Sequence, residues 1–133
     1  MFTLICGLPN AGKTTYSAQF DNVVHIDEVI SNKRGAVVVE MIQSADDMCL
    51  EGVFPLADRR KMYREAYGGE GTRCIWLDTP YEECVRRENR GRKEIIFKNC
   101  LAFFEPPTLE EGWDEIIIIR GNNEQRINRQ TED

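Results

Sequence analysis

Residues 7–14 read Gly-Leu-Pro-Asn-Ala-Gly-Lys-Thr, a complete G-x-x-x-x-G-K-[ST] pattern. Phosphate chemistry accounts for the residue types. Gly7 and Gly12 let the backbone close into a concave nest of N–H donors, with Pro9, Asn10 and Ala11 between them. Lys13 would reach the β- and γ-phosphates, and the Thr14 hydroxyl, with Thr15 beside it, would hold Mg2+. The bland alternative is a glycine-rich turn between a strand and a helix. The pattern points instead to a site for a Mg2+-bound nucleoside triphosphate.

Further along are residues able to act on such a ligand. Asp27 and Glu51 each close a stretch that reads as a strand, and in a parallel sheet those ends share a crevice with the loop. An acid there takes a proton from an attacking hydroxyl or binds Mg2+. A helix cap for Asp27 and a solvated strand end for Glu51 are the alternatives, and Glu28 is a neighbour able to share either role. Residues 86–93, Arg-Arg-Glu-Asn-Arg-Gly-Arg-Lys, carry five cations and one acid. Arginines in such a run suit a lid that meets the charge of a transferring phosphoryl group; a solvated basic helix face is the alternative. The pair Arg59-Arg60 would contact phosphates or nearby acids. His25, the single histidine, reads as a packing or hydrogen-bonding residue, and Trp76 and Trp113 as core.

These residues need an α/β frame. Phe2–Cys6 reads as a buried strand and Thr14–Phe20 as the helix whose N-terminus faces phosphate. Asn22–Asp27 is a second strand. Glu28–Ala45 has loose helical spacing, interrupted by Gly35 and Val37-Val38-Val39. Asp47–Glu51 is a third strand, Leu56–Tyr67 an amphipathic helix, and Arg73–Asp78 a fourth strand. Helices follow over Tyr81–Asn89 and Lys93–Phe104. The apolar run ending Asp114–Ile119 suits a fifth strand buried on both faces. Residues 121–133 read as a polar, frayed tail of the same domain with at most one short helix. The expectation is a three-layer α/β domain over residues 1–120 with a five-stranded parallel sheet.

At 133 residues the chain fits one domain, and its net charge of −6 excludes coating nucleic acid through overall charge. Five cysteines without metal-site spacing read as reduced, mostly buried thiols. Met1 leads straight into the first strand, and no apolar run approaches a membrane span. A cytoplasmic protein without a membrane partner is expected.

The loop, the acid after strand two, Glu51 followed by Asp58-Arg59-Arg60, and the run Trp76-Leu77-Asp78-Thr79-Pro80 through Cys84-Val85-Arg86-Arg87 to Arg90-Gly91-Arg92 follow in order. Together they resemble the small P-loop kinases of adenylate-kinase-like architecture, and among them the 5′-hydroxyl polynucleotide kinase group. The stretch Phe104–Ile116 is similar to that group's entry into its last strand. The resemblance implies the strand order 2-3-1-4-5, ATP as donor, and a polynucleotide 5′-hydroxyl as acceptor, with a small-molecule hydroxyl or a slowly hydrolysing nucleotide-dependent binder as alternatives. It implies Lys13 and Thr14 on the donor phosphates and Mg2+, and Asp27 as general base. It also implies Arg87 on the transferring phosphoryl, Arg90 near the donor nucleotide, and Glu51 where the group usually has Asp. Ile30 departs from it, standing where the phage-type enzymes hold the acceptor phosphate with an arginine. Lys33 and Arg34 lie one turn on, and the segment between Asp27 and Glu51 is short for the group.

Overall fold

The computed structural model describes residues 1–129. Its centre is β1 (Phe2–Cys6), every residue of which is buried. β1 pairs in parallel with β3 (Met48–Glu51) on one side and β4 (Thr72–Leu77) on the other. β2 (Val23–His25) extends the sheet beyond β3, and β5 (Glu115–Arg120) beyond β4, both in parallel. A sixth strand, β6 (Asn123–Asn128), pairs antiparallel with β5, giving the order β2-β3-β1-β4-β5-β6.

The alternation of side chains along β1 divides the interior into two cores. Phe2, Leu4 and Cys6 face α2 (Arg34–Gln43) and α3 (Ala57–Ala66), packing with Val38, Ile42, Tyr63 and Trp113. Ile5 faces the opposite way, into a core closed by Cys84 of α4 (Tyr81–Arg86) and Phe97 of α5 (Glu94–Phe103). Tyr16, on the short α1 (Lys13–Ser17), packs on that second side. Two helical layers thus flank one sheet.

Four sequence expectations need correction. The sheet has six strands rather than five and is not wholly parallel. Residues 123–128, expected frayed or helical, form β6; residues 130–133 of the expected tail lie outside the described residues. The first helix stops at Ser17 rather than Phe20, because Ser17 Oγ donates back to Thr14 O and the next amides bond three residues back, Ala18 to Thr15 and Phe20 to Ser17. Residues 29–33 precede α2 rather than belonging to it. α2 itself tolerates Gly35 and three consecutive valines because Val38 and Ile42, both wholly buried, anchor it against the sheet.

Arg60 is also placed by the core. It is 0% exposed, and its Nε and Nη2 each lie 2.9 Å from a Glu111 carboxylate oxygen. Nη1 donates to Phe54 O and Nη2 also to Glu105 O, both at 2.7 Å, while Trp113 Nε1 and the Thr108 amide donate to the same carboxylate. This pair joins α3 to the 3-10 turn Leu109–Glu111, and neither residue lines the cavity over the phosphate loop. The Glu111→Ala substitution is expected to strand the guanidinium and lower stability by about 3–5 kcal/mol, read as a shifted urea midpoint.

Candidate active site

The chain leaves β1 at Gly7, whose amide continues the sheet by donating to Val53 O at 3.2 Å. A Cβ at Gly7 would lie 2.7 Å from Leu77 O, so only glycine allows the loop to pass this close to β4. Gly12, at φ 100, supplies the left-handed turn that starts α1. Between them the loop carbonyls are taken up by side chains. Lys13 Nζ donates to Gly7 O at 3.0 Å and Leu8 O at 2.6 Å, Thr79 Oγ1 to Ala11 O at 2.8 Å, and Arg87 Nη1 to Asn10 O at 3.1 Å.

The loop opens on a cavity of about 930 Å3. Pro9 through Thr15 form its floor. Arg87, Arg90 and Arg92 line it from the segment that follows α4, beyond β4 in the sheet order, and Asp27, Glu28, Glu51 and His25 from the ends of β2 and β3 and the turn after β2. Every residue assigned above to catalysis, nucleotide or metal lines this space except Gly7, which is buried beneath it. Lys13 is 7% exposed, and burial draws its pKa below the ordinary lysine value, with Glu51 the foremost charge pulling it back up. Thr14 and Thr15 are exposed at the start of α1.

Asp27 is not at a strand end: β2 stops at His25, and Asp27 lies in a 3-10 turn, Ile26–Glu28. His25 pairs across the sheet with Glu51, so both side chains fall on one face, and Nδ1 lies 2.7 Å from Glu51 Oε2. Sequence reasoning left His25 without a partner, because the strand register that pairs it with Glu51 has no local signal.

The basic run is less free than its composition suggests. Arg86 and Arg87 both pair with Glu83, and Arg92 with Glu88 at 3.0 Å. Hydrogen bonds from Arg86 and then Arg87 hold the Glu83 carboxyl below its usual range. Arg86 does not line the cavity, whereas Arg90 does and makes no ion pair among the described residues. Ile30 is 97% exposed, and neither it nor Lys33 or Arg34 lines the cavity. Burial pushes the thiols of Cys74, Cys84 and Cys100 up, and that of Cys49 up to about 12, which suits inert, free cysteines.

No protein-family model matches the chain. It resembles the gluconokinase from Sinorhizobium meliloti 1021 at TM-score 0.66 and 11% identity, over 91% of this chain and 82% of that one. It resembles Chaetomium thermophilum Kti12, solved with ADP-AlF3, at TM-score 0.66 and 12% identity, over 92% and 90%. The fold is that of the P-loop NTPase-like kinases. In sequence the chain is 32% identical over 108 residues to the bifunctional enzyme NodQ of Rhizobium tropici, and over 104 residues to that of Rhizobium meliloti (strain 1021). The matches take in 73% and 70% of this chain but only 17% and 16% of those enzymes. Among the described residues no helix is long and apolar enough to cross a membrane.

The Gly7→Ala substitution is expected to force the loop off β4 and destabilise the fold by about 1–3 kcal/mol, seen as a lowered Tm in thermal unfolding.

Proposed function

We propose that this chain is an ATP- and Mg2+-dependent phosphotransferase whose acceptor is the hydroxyl of a small molecule. The observation that carries this reading is the division of charge within one cavity. The segment after α4 lines it with Arg87, Arg90 and Arg92; the ends of β2 and β3 and the turn after β2 line it with Asp27, Glu28 and Glu51, with His25 paired to Glu51 and no lysine or arginine, and Lys13 lies on the loop between them. A polynucleotide end would bring its own phosphates against three carboxylates, with Ile30 turned to solvent where the polynucleotide kinases have an arginine. A neutral polyol meets no such repulsion. The cavity volume suits a nucleotide with a small acceptor, and the shared fold with a gluconokinase and a sugar kinase supports the same class.

On this reading Asp27 accepts the proton of the acceptor hydroxyl as its oxygen bonds to the γ-phosphorus. The bond from that phosphorus to the β,γ-bridging oxygen breaks, and ADP departs with the charge. Lys13 and the loop amides hold the β- and γ-phosphates, Arg87 meets the charge spread over the transferring group, and Arg90 lies along the nucleotide. The Thr14 hydroxyl and Glu51 carboxylate are hard oxygen donors of the type Mg2+ takes, and among the described residues no three His, Cys, Asp or Glu side chains form a metal cluster. Thr14 and Glu51 would hold an ion shared with the nucleotide, which would neutralise phosphate charge when bound.

Incubation with γ-labelled ATP, a panel of sugars, nucleosides and amino alcohols, and a 5′-hydroxyl oligonucleotide tests the assignment. Label on a metabolite is expected; label on the oligonucleotide alone would overturn the small-molecule acceptor. With the acceptor found, Asp27→Asn should lower kcat by about 10²–10⁴-fold while the Kd for Mg·ATP stays within about threefold. Lys13 gives a pH signature. Its attraction for phosphate is complete while the ammonium is protonated and is lost as pH rises through the folded pKa, which lies below the ordinary 10.5. Affinity for Mg·ATP should therefore begin to fall below pH 10.5 in calorimetric titrations, and Lys13→Met should remove that pH step.

A further inference from the structure

Glu88 is the single acid within the basic run 86–93, and its carboxylate is fully engaged. Oε1 accepts from Asn10 Nδ2 at 2.9 Å and from Arg92 Nε at 3.0 Å. Oε2 accepts from the backbone amides of Arg90 at 3.0 Å and Arg92 at 2.7 Å. The Asn10 side chain is equally committed: Nδ2 also reaches Cys84 O at 3.1 Å, and Oδ1 accepts from Arg92 Nη2 at 2.8 Å. Asn10, Glu88 and Arg92 thus close a ring of hydrogen bonds, one member on the phosphate loop and two on the arginine segment.

Two features set this ring apart from ordinary helix capping. Glu88 lies just beyond α4, which ends at Arg86, where the negative end of the helix dipole disfavours a carboxylate. The Asn10 amide first, and the Arg92 backbone amide next, nevertheless hold its pKa down at about 2. Asn10 adopts φ 65 at the centre of the loop, a left-handed conformation that a short amide side chain tolerates. Its amide is spent on the arginine segment, so any share Asn10 takes in phosphate binding falls to its backbone N–H.

We propose that Glu88 is a positioning residue that, through Asn10 and Arg92, fixes the arginine segment to the phosphate loop and so sets Arg87 and Arg92 over the transferring group. The kinetic half of this inference rests on the phosphotransferase reading; the structural half does not. Arg86, Arg87, Arg90, Arg92 and Lys93 are all trypsin sites, so the attachment has a direct readout.

The test compares Glu88→Ala and the milder Glu88→Gln with the wild-type chain. For Glu88→Ala, kcat should fall by about 30-fold while the Kd for Mg·ATP changes less than about threefold. Tryptic cleavage within 86–93 should accelerate by about 10-fold at unchanged Tm, and Glu88→Gln should lie between. Wild-type kcat with wild-type cleavage would overturn the proposal, as would equal losses in kcat and affinity. If the alanine variant does not fold, the glutamine variant decides by the same measures. If the wild-type chain binds Mg·ATP but transfers phosphate to no acceptor, the phosphotransferase reading falls, and the cleavage rates alone decide whether Glu88 holds the segment.

Discussion

A backbone loop can point its amides at an anion only if its carbonyls find other partners, and that constraint governs this molecule. In Gly7–Gly12 the partners come from three side chains: Lys13 serves Gly7 and Leu8, Thr79 serves Ala11, and Arg87 serves Asn10, while the Gly7 amide itself donates to Val53 O just beyond β3. Each depends on a neighbouring element being in register. β4 must end beside the loop for Thr79 to reach it, and α4 must run back over it for Arg87 to do so. The conformation of six residues is therefore a property of the whole sheet, and the cost of leaving buried backbone groups unpaired selects that arrangement.

The same sheet separates the charges of the cavity. β1 lies in the middle, so the chain must cross over twice to complete it, once toward β2 and β3 and once toward β4 and β5. The first crossover brings carboxylates to the cavity and the second brings guanidiniums. Opposite charges thus face each other across a loop that belongs to neither side. Lys13, buried at the junction, senses both: burial disfavours its charge, and Glu51 and Asp27 partly restore it.

Much of this was legible in the residues, and the failures have a common cause. The phosphate loop declares itself through local chemistry, and β1, β3, β4 and β5 through apolar runs, so those lie within a residue or two of expectation. β6 was invisible because Asn-Glu-Gln-Arg-Ile-Asn has a single apolar residue, Ile127, and no strand alternation; β5 offers it an edge to pair with. His25 gained its partner through register, and Arg60 through a turn some fifty residues away. The one acid in the basic run, Glu88, had no role assigned from sequence, because its partner Asn10 lies 78 residues away. Local signals reported residue type well. They carried nothing about which distant groups would meet.

β6 has a further consequence. Without it, the isoleucine run of β5 would offer an open row of amides and carbonyls to any extended chain, the arrangement from which fibrils grow. The strand that covers this edge is hydrophilic and studded with charge, with Arg126 bridging Glu115 and Glu124. At the other margin β2 spans only three residues. Both borders of the sheet are poor templates for another copy, which lets so apolar a strand lie one place from the rim without inviting self-assembly.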